Sequence, residues 1–275
     1  MKKTVLITGA SSGIGKATAF EFHKNGWNVI ATMRSPEKEK ELIGIDNLLV
    51  VRLDVQNQKS IDTAIEEGIK EFGKIDVIVN NAGYTVFGPF ELTTDEQVMR
   101  IFDTNLYGPM RVLRSILPLF RKQKSGVIIN VTSAGGRVTY PITSIYHSTK
   151  FALEGFTETL SYELIPFGIQ TKIVEPGSTA TKFVGSAEIT VGNNPIYDEF
   201  IKNGLKNWEK YDTLTSSPKK IADTIFMAAT DNNYILRYPV GEDTEFYFTI
   251  RQSVDDQSYI DFMRNRFIPE YIKNN

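Results

Sequence analysis

The 275-residue sequence contains no cysteine. This absence excludes disulfides, thiolate nucleophiles and zinc sites built from sulfur. Histidine is almost as scarce, and His23 and His147 have no clustered acidic neighbours, so we expect no metal site. A chain without cysteine suits a reducing compartment, and we expect a cytoplasmic protein.

Long apolar runs and an excess of charge are also missing. No stretch approaches the roughly 20 apolar residues of a membrane-spanning helix. Glycines and serines interrupt the basic and apolar start before a signal-peptide core could form. The 31 Lys and Arg residues nearly balance the 33 Asp and Glu residues, so nothing indicates binding to nucleic acid or to an anionic membrane. We expect a small-molecule partner.

Short apolar runs alternate along the chain with segments that have helical spacing. The predicted strands are 5–7, 29–31, 48–53, 77–79, 127–129, 169–174 and 235–240, and the predicted helices are 14–25, one from about 36, 61–72, 97–120, 144–165 and 218–229. Continuous apolar strands are typical of a parallel sheet covered on both faces. We predict one α/β domain over residues 1–275, with a doubly wound, mainly parallel seven-stranded Rossmann sheet and helices on both faces.

Two segments fall outside this alternation. Residues 178–217 form a long irregular span with several aromatic residues, namely Phe183, Tyr197, Phe200, Trp208 and Tyr211. Such a span inside a compact domain is often functional, and we predict a substrate lid. These aromatics either line an apolar pocket or pack the lid onto the body. A C-terminal extension at about 245–275 either closes the pocket or packs on another subunit.

Residues 8–15 read Thr-Gly-Ala-Ser-Ser-Gly-Ile-Gly and join the first predicted strand to the first helix. The start of a helix presents backbone N–H groups and the positive end of its dipole to one point, where a pyrophosphate can bind. A plain strand-to-helix turn would also use glycine, but the position at the opening of a βαβ unit favours binding. The predicted phosphate-binding residues are Gly9, Ser11, Ser12, Gly13, Ile14 and Gly15.

The end of the second strand indicates which cofactor is preferred. An acid at this place accepts a hydrogen bond from the ribose 2′-hydroxyl of NAD and would repel a 2′-phosphate. Met33 stands there instead, and Arg34 follows it with a guanidinium that can hold a phosphate through paired hydrogen bonds. We therefore predict NADP(H) over NAD(H). The alternative is that Arg34 is an ordinary solvated charge.

Tyr146 and Lys150 stand four residues apart on a predicted helix and share one of its faces. Lowering the pKa of a phenol by about three units takes roughly 4 kcal/mol, which a cation about 4 Å away can supply. Tyr146 can then act as the acid in carbonyl reduction and the base in alcohol oxidation. Ser133 follows the apolar run that ends at Val131, where its hydroxyl could hold the substrate oxygen; the adjacent Thr132 is a possible substitute, and either residue could simply cap the strand.

These motifs together resemble the short-chain dehydrogenase/reductase family, over essentially the whole chain. The shared motifs, in the order of that family, are the glycine turn, Asn80-Asn81-Ala82-Gly83, Asn105, Ser133, the pair Tyr146 and Lys150, and Pro176-Gly177 with Thr181. The Gly83–Glu91 stretch and residues 31–34 and 237–241 look like the branch with steroid and retinol dehydrogenases. That likeness implies a hydrophobic carbonyl compound or alcohol as the substrate.

The resemblance also implies roles for residues that spacing alone leaves open. Asn105 would hold a water linking Lys150 to solvent, although by itself it suggests a satisfied core amide. Asp54 would contact the adenine, although it could equally cap a helix. The remaining implied cofactor contacts are Val55, Tyr146 and Lys150, with Asn81, Ala82 and Gly83 along the ribose and Pro176, Gly177 and Thr181 at the nicotinamide.

Two other functions are compatible with a dinucleotide-binding chain. One is a non-catalytic redox sensor, which would have no need of Ser133, Tyr146 and Lys150. The other is an epimerase or dehydratase acting on nucleotide-linked sugars, which usually has a larger C-terminal portion than the roughly 100 residues after Pro176. The apolar helices predicted at 97–120 and 151–165 could supply a two-fold interface, so we expect a homodimer or homotetramer.

Overall fold

The structure is a computed structural model and describes residues 2–181, 188–189, 195–211 and 214–272. The predicted lid residue Phe183 and the last three residues of the predicted extension lie outside these ranges.

Seven parallel strands form one sheet in the order β3-β2-β1-β4-β6-β7-β9. Its strands are β1 (Thr4–Ile7), β2 (Asn28–Met33), β3 (Leu48–Arg52), β4 (Val77–Asn80), β6 (Gly126–Val131), β7 (Ile169–Pro176) and β9 (Arg237–Val240). A separate parallel ribbon pairs β5 (Val86–Phe87) with β8 (Glu188–Ile189). The predicted seven-stranded Rossmann sheet is confirmed.

Helices cover both faces of the sheet, as its continuously apolar strands require. The helices are α1 (Gly13–Lys24), α2 (Gln58–Phe72), α3 (Asp95–Phe102), α4 (Gly108–Gln123), α5 (Ser144–Leu164), α6 (Pro195–Tyr211), α7 (Pro218–Thr230), α8 (Glu242–Ser253) and α9 (Asp256–Phe267). On one face, Phe22 of α1 and Ile225 of α7 join the core. On the other face, Ile61 of α2, Val112 of α4 and Leu160 of α5 do so.

The helix predicted from residue 36 is wrong. Only Pro36–Lys38 forms a 3-10 turn. The buried carboxylate of Glu39 accepts hydrogen bonds from the next three backbone N–H groups, those of residues 40–42. Those donors would bond backbone carbonyls in a continuing helix, so the side chain of Glu39 competes with the helix and ends it.

The helix predicted at 97–120 is divided into α3 and α4 by a π-helical turn at Asp103–Tyr107. The N–H of Gly108 reaches back to the carbonyl of Asp103 across this wider turn. A Cβ on Gly108 would lie 2.9 Å from the side chain of Val55, so glycine permits the close contact with the end of β3. Turns of this kind occur often at functional sites, and this one contains Asn105.

The predicted lid is more regular than its sequence indicates, because α6 and β8 lie inside it. Its two ends are held together by hydrogen bonds of Ser216 with Ser178 and Ala180. Near the C-terminus, α8 and α9 build a third apolar cluster that includes Tyr247, Tyr259 and Phe267.

Candidate active site

The glycine turn between β1 and α1 has the conformation that its sequence requires. Gly9 has a φ of 70° and Gly13 a φ of 54°, in the left-handed region that favours glycine. A Cβ on Gly9 would lie 2.9 Å from the Cα of Ala82, and one on Gly15 would lie 2.3 Å from the carbonyl oxygen of Gly9. Backbone angle or packing thus excludes a side chain at all three positions.

Asn81 connects this turn to the end of β4. Its Nδ2 donates to the carbonyl oxygens of Thr8, at 3.0 Å, and Gly9, at 3.1 Å. In return, the hydroxyl of Thr8 accepts from the N–H groups of Asn81 and Ala82. Thr8 was not among the predicted site residues, although a polar residue between an apolar strand and a glycine turn was a signal for it.

The start of α1 fits a dinucleotide diphosphate. Its N-cap, Ser12, makes no side-chain cap hydrogen bond, and its first turn carries no acidic residue. The N–H groups of residues 13–15 are therefore available to an anion at the positive end of the helix dipole. Ser11 and Ser12 are exposed beside them. The nicotinamide cofactors of this fold carry such a diphosphate.

A cavity of about 270 Å³ lies beside this turn, at the end of β2. It is lined by Ser11, Met33, Ser35, Lys38 and Lys40, together with Lys16, Glu39 and Glu41. The Lys16 ammonium bonds the carboxylates of Glu39 and Glu41 at 3.1 and 2.8 Å. Lys38 and Lys40 have no salt bridge among the described residues, so they leave the cavity with positive charge. Arg34, next to Met33, is exposed at the same strand end.

Asp54 and Val55 follow β3 at the same edge of the sheet. The Asp54 carboxylate accepts from the N–H of Gln56 at 3.0 Å, whereas the side chain that caps α2 is that of Asn57. The alternative of Asp54 as a helix cap is therefore wrong. Val55 is buried, and its carbonyl accepts a hydrogen bond from Arg111.

Ser133, Tyr146 and Lys150 converge at the carboxyl ends of β6 and β7. The phenol of Tyr146 is hydrogen-bonded to the hydroxyl of Ser133. The Nζ of Lys150 lies 5.8 Å from the centre of the Tyr146 ring and donates to the carbonyl of Val131 at 3.1 Å. The Ser133 hydroxyl accepts from the N–H of Gly135 at 3.0 Å and donates to the carbonyl of Pro176 at 3.4 Å. The helical spacing predicted this shared face correctly.

Burial dominates the electrostatics of this pair. It raises the pKa of Tyr146 to about 12, against the hydrogen bond with Ser133, which lowers it. Burial also lowers the pKa of Lys150 to about 8, against the carboxylate of Glu154, which raises it. In the chain by itself, the loss of hydration on burial therefore outweighs the lowering of the phenol pKa that the sequence predicts from Lys150.

Asn105 is buried, and both its side chain and the ammonium of Lys150 lie close to Gly83. Its Nδ2 donates to the carbonyl of Tyr84 at 2.8 Å, and its Oδ1 accepts from the N–H of Tyr84 at 3.1 Å. A Cβ on Gly83 would lie 3.1 Å from this Oδ1 and 3.9 Å from the Nζ of Lys150. The side chain is thus satisfied as the core amide that its residue type suggests, and it fixes the backbone after Gly83.

His147 contributes more than the sequence suggested. It is buried and braces the segment that follows Ser133. Its Nδ1 bonds the carbonyl of Gly135 at 2.7 Å, and its Nε2 accepts from the N–H of Tyr140 at 2.9 Å. Burial lowers the pKa of His147 to about 4, so the ring is neutral. The second bond assigns the proton to Nδ1.

Pro176, Gly177 and Thr181 leave β7 toward the glycine turn. The N–H of Gly177 donates to the carbonyl of Val240 at 3.1 Å, and a Cβ on Gly177 would lie 2.1 Å from the Asp243 carboxylate. A Cβ on Gly13 would lie 3.2 Å from the side chain of Thr181. Thr181 therefore stands beside the phosphate turn.

The described residues contain no group of three or more His, Asp or Glu residues that could hold a metal. In the same residues, every helix is too short or too polar to cross a membrane.

A parallel sheet with a glycine turn beside its switch point, between β1 and β4, defines a Rossmann-type nucleotide-binding protein. Comparison with known proteins identifies the family. The sequence model described as short chain dehydrogenase matches residues 3–191. The chain belongs to this family of oxidoreductases.

Three relatives illustrate the relationship. The 3-ketodihydrosphingosine reductase of Bacteroides thetaiotaomicron is 37% identical over 251 residues, covering 90% of this chain and 91% of the relative. A short-chain dehydrogenase from Streptomyces avermitilis superposes with a TM-score of 0.84 at 32% identity, covering 99% of this chain and 98% of that one. The structure of ElxO with NADP bound has a TM-score of 0.74 at 29% identity, with coverages of 87% and 97%.

Proposed function

We propose that this protein is an NADP(H)-dependent oxidoreductase that interconverts a carbonyl and an alcohol on a hydrophobic small molecule, with Tyr146 as the acid or base. The observation that carries the proposal is the phenol of Tyr146, hydrogen-bonded to Ser133 beside the buried ammonium of Lys150. When bound, the nicotinamide supplies or accepts the hydride.

The residues of the chain handle the proton. In reduction, the phenol of Tyr146 donates its proton to the substrate oxygen, and the ammonium of Lys150 stabilises the phenolate that remains. The hydroxyl of Ser133 holds the same oxygen near the phenol. At neutral pH the buried phenol is protonated, which is the form that donates in carbonyl reduction. Asn105 is assigned to the relay that returns a proton to Lys150.

The NADP(H) preference is supported by charge at the end of β2. Met33 stands where an acid would select NAD, and Arg34 and Lys38 provide cations at and beside the cavity. The relative ElxO binds NADP. The remaining cofactor assignments, among them Asp54 at the adenine and Pro176, Gly177 and Thr181 at the nicotinamide, belong to the same proposal.

A hydrophobic substrate is supported by a relative whose name identifies it as a reductase of 3-ketodihydrosphingosine. The aromatics near the site are partly occupied in packing. Trp208 of α6 contacts the rings of Phe87 and Tyr140 at 5.6 and 5.3 Å, which favours the alternative that this residue packs the lid onto the body. The likeness to steroid and retinol dehydrogenases stays a prediction.

We also propose a single domain with a lid at 178–217 and a C-terminal extension at 245–275, assembled as a homodimer or homotetramer in the cytoplasm. Exposed aromatic residues on α5, Phe151 and Tyr162, support the assembly.

The test is a panel of ketones, aldehydes and secondary alcohols, including long-chain keto compounds, steroids and retinoids, with NADPH absorbance as the readout. Tyr146→Phe removes the ionisable hydroxyl and keeps the ring, so kcat is expected to fall by about 10² to 10⁴. The Kd for NADPH, measured by fluorescence, is expected to stay close to that of the parent. Near-parental turnover would refute the role of Tyr146. Tight cofactor binding without turnover on the whole panel would favour a redox sensor.

A further inference from the structure

Glu154 lies one helical turn beyond Lys150 on α5, just as Lys150 lies one turn beyond Tyr146. Residues at and just after the end of β6 contact the turns of α5 that carry these three side chains. The carbonyl of Val131 accepts from the Nζ of Lys150 at 3.1 Å, and the hydroxyl of the next residue, Thr132, donates to the Oε1 of Glu154 at 2.6 Å. Two consecutive residues at one strand end therefore bind the ammonium and the carboxylate, which lie on successive turns of α5.

Glu154 is 4% exposed, and its second carboxylate oxygen accepts from the Nε of Arg237 at 3.1 Å. These two bonds favour its ionised form, although burial raises its pKa. The other ionisable groups near it are Arg137 from the turn after β6, Glu158 from α5 and Glu175 from β7. Burial, reinforced by the charge of Glu154, raises the pKa of Glu175 to about 7.

We propose that Glu154 is a positioning residue for the reaction of Tyr146, because its buried carboxylate keeps Lys150 in the charged form that stabilises the phenolate. This inference rests on the proposed function. Lys150 is faced by Tyr146 and Glu154 from α5, by the uncharged amide of Asn105 and by the carbonyl of Val131. Glu154 is thus the carboxylate that opposes the effect of burial on Lys150. At low effective dielectric, a charge one turn away is screened little.

The first experiment needs no turnover. The ionisation of Lys150 is followed by NMR of ¹³C,¹⁵N-lysine in the cofactor-free protein, and its resonance is identified by its loss in Lys150→Arg. Glu154→Gln is expected to lower the Lys150 midpoint by about one pH unit, since a nearby negative charge is removed. An unchanged midpoint overturns the proposal.

Glu158→Gln is the matched control. Its carboxylate bonds the same Arg237 at 2.5 Å from the same helix, but its side chain is 42% exposed and lies a further turn from Lys150. The Lys150 midpoint of this variant is expected to equal that of the parent. Thr132→Val provides a second route should Glu154→Gln not fold. Loss of the hydroxyl that donates to Glu154 weakens its ionisation, and the midpoint is expected to move in the same direction by less; no movement contradicts the role of Glu154.

The pH profile of carbonyl reduction separates this role from a structural one. Removing a negative charge makes both Lys150 and Tyr146 lose their protons more easily, so the high-pH limb of kcat/KM is expected to move to lower pH in Glu154→Gln. A purely structural role would lower kcat and leave the limb in place, and that result counts against the proposal. A parent enzyme inactive on every carbonyl rejects the proposed function, while the lysine midpoints still decide whether Glu154 controls the charge of Lys150.

Discussion

At the scale of single residues, the predicted preference for NADP(H) over NAD(H) depends on the exposed Arg34 binding the 2′-phosphate of the cofactor. A charge-assisted hydrogen bond is worth about 1.5–3 kcal/mol. We therefore predict that Arg34→Ala lowers kcat/KM for NADPH relative to NADH by about 10- to 100-fold. The measurement is the ratio of the two values in the parent and the variant, with one carbonyl substrate.

Two further variants test the geometry of this contact. Arg34→Lys keeps the charge but loses the planar fork, so its preference is expected to fall between those of the parent and Arg34→Ala. Lys38→Ala removes a cation that lines the cavity itself. A preference that survives in Arg34→Ala and disappears in Lys38→Ala would transfer the role to Lys38.

At the scale of elements, the segment after Ser133 is joined to α5 by the neutral ring of His147. The pKa of His147 is about 4 in the fold and about 6.5 in an unfolded chain. The neutral ring therefore contributes its full stabilisation above about pH 6.5, and this contribution is lost as the pH falls toward 4. Between pH 7 and pH 5, we predict that the free energy of unfolding falls by about 2 kcal/mol more in the parent than in His147→Gln.

The measurement is urea unfolding, followed by tryptophan fluorescence at both pH values. The comparison with His147→Gln cancels the carboxyl groups, including Glu175, whose raised pKa has the opposite effect on stability over this range. His23→Gln changes the other histidine and is expected to retain the difference seen in the parent. Equal pH dependence in the parent and in His147→Gln would show that the ring does not titrate as its burial implies.

At the scale of elements, the sequence could predict those parts of the fold that are determined by the burial of apolar residues. Strands such as Val77–Asn80 are buried on both faces, so an apolar run was sufficient to find them. The segment after Pro36 carries charges at helical spacing, but the carboxylate of Glu39 captures the backbone donors. That competition depends on a side-chain orientation that no hydrophobic pattern encodes. The π-helical turn at Asp103–Tyr107 was hidden for a similar reason, because its residues continue the apolar spacing on either side.

At the scale of the whole molecule, the candidate site divides into a local and a non-local part. Tyr146 and Lys150 share a face because of the helical period, so spacing alone placed them together. Glu154 meets Thr132, just after β6, and Arg237, at the start of β9, only because α5 packs on β7, the strand between them. The sequence separates these residues by 22 and 83 positions, so a pattern search along the chain could not connect them.

We predict that the exposed aromatic residues of α5 lie in the interface between subunits. Tyr162 is 65% exposed and Phe151 43% exposed, on the helix that carries Tyr146. We expect sedimentation velocity to show a dimer or tetramer for the parent. Tyr162→Glu is predicted to shift the population toward smaller species, because the association would have to bury a charge.

Ile43→Glu is the matched control for this variant. It places the same charge on an apolar residue that is 58% exposed and lies on a different element, in the connection between Pro36–Lys38 and β3. Its sedimentation is expected to match that of the parent. A parent that sediments as a monomer, or a Tyr162→Glu variant that assembles as the parent does, would remove α5 from the interface.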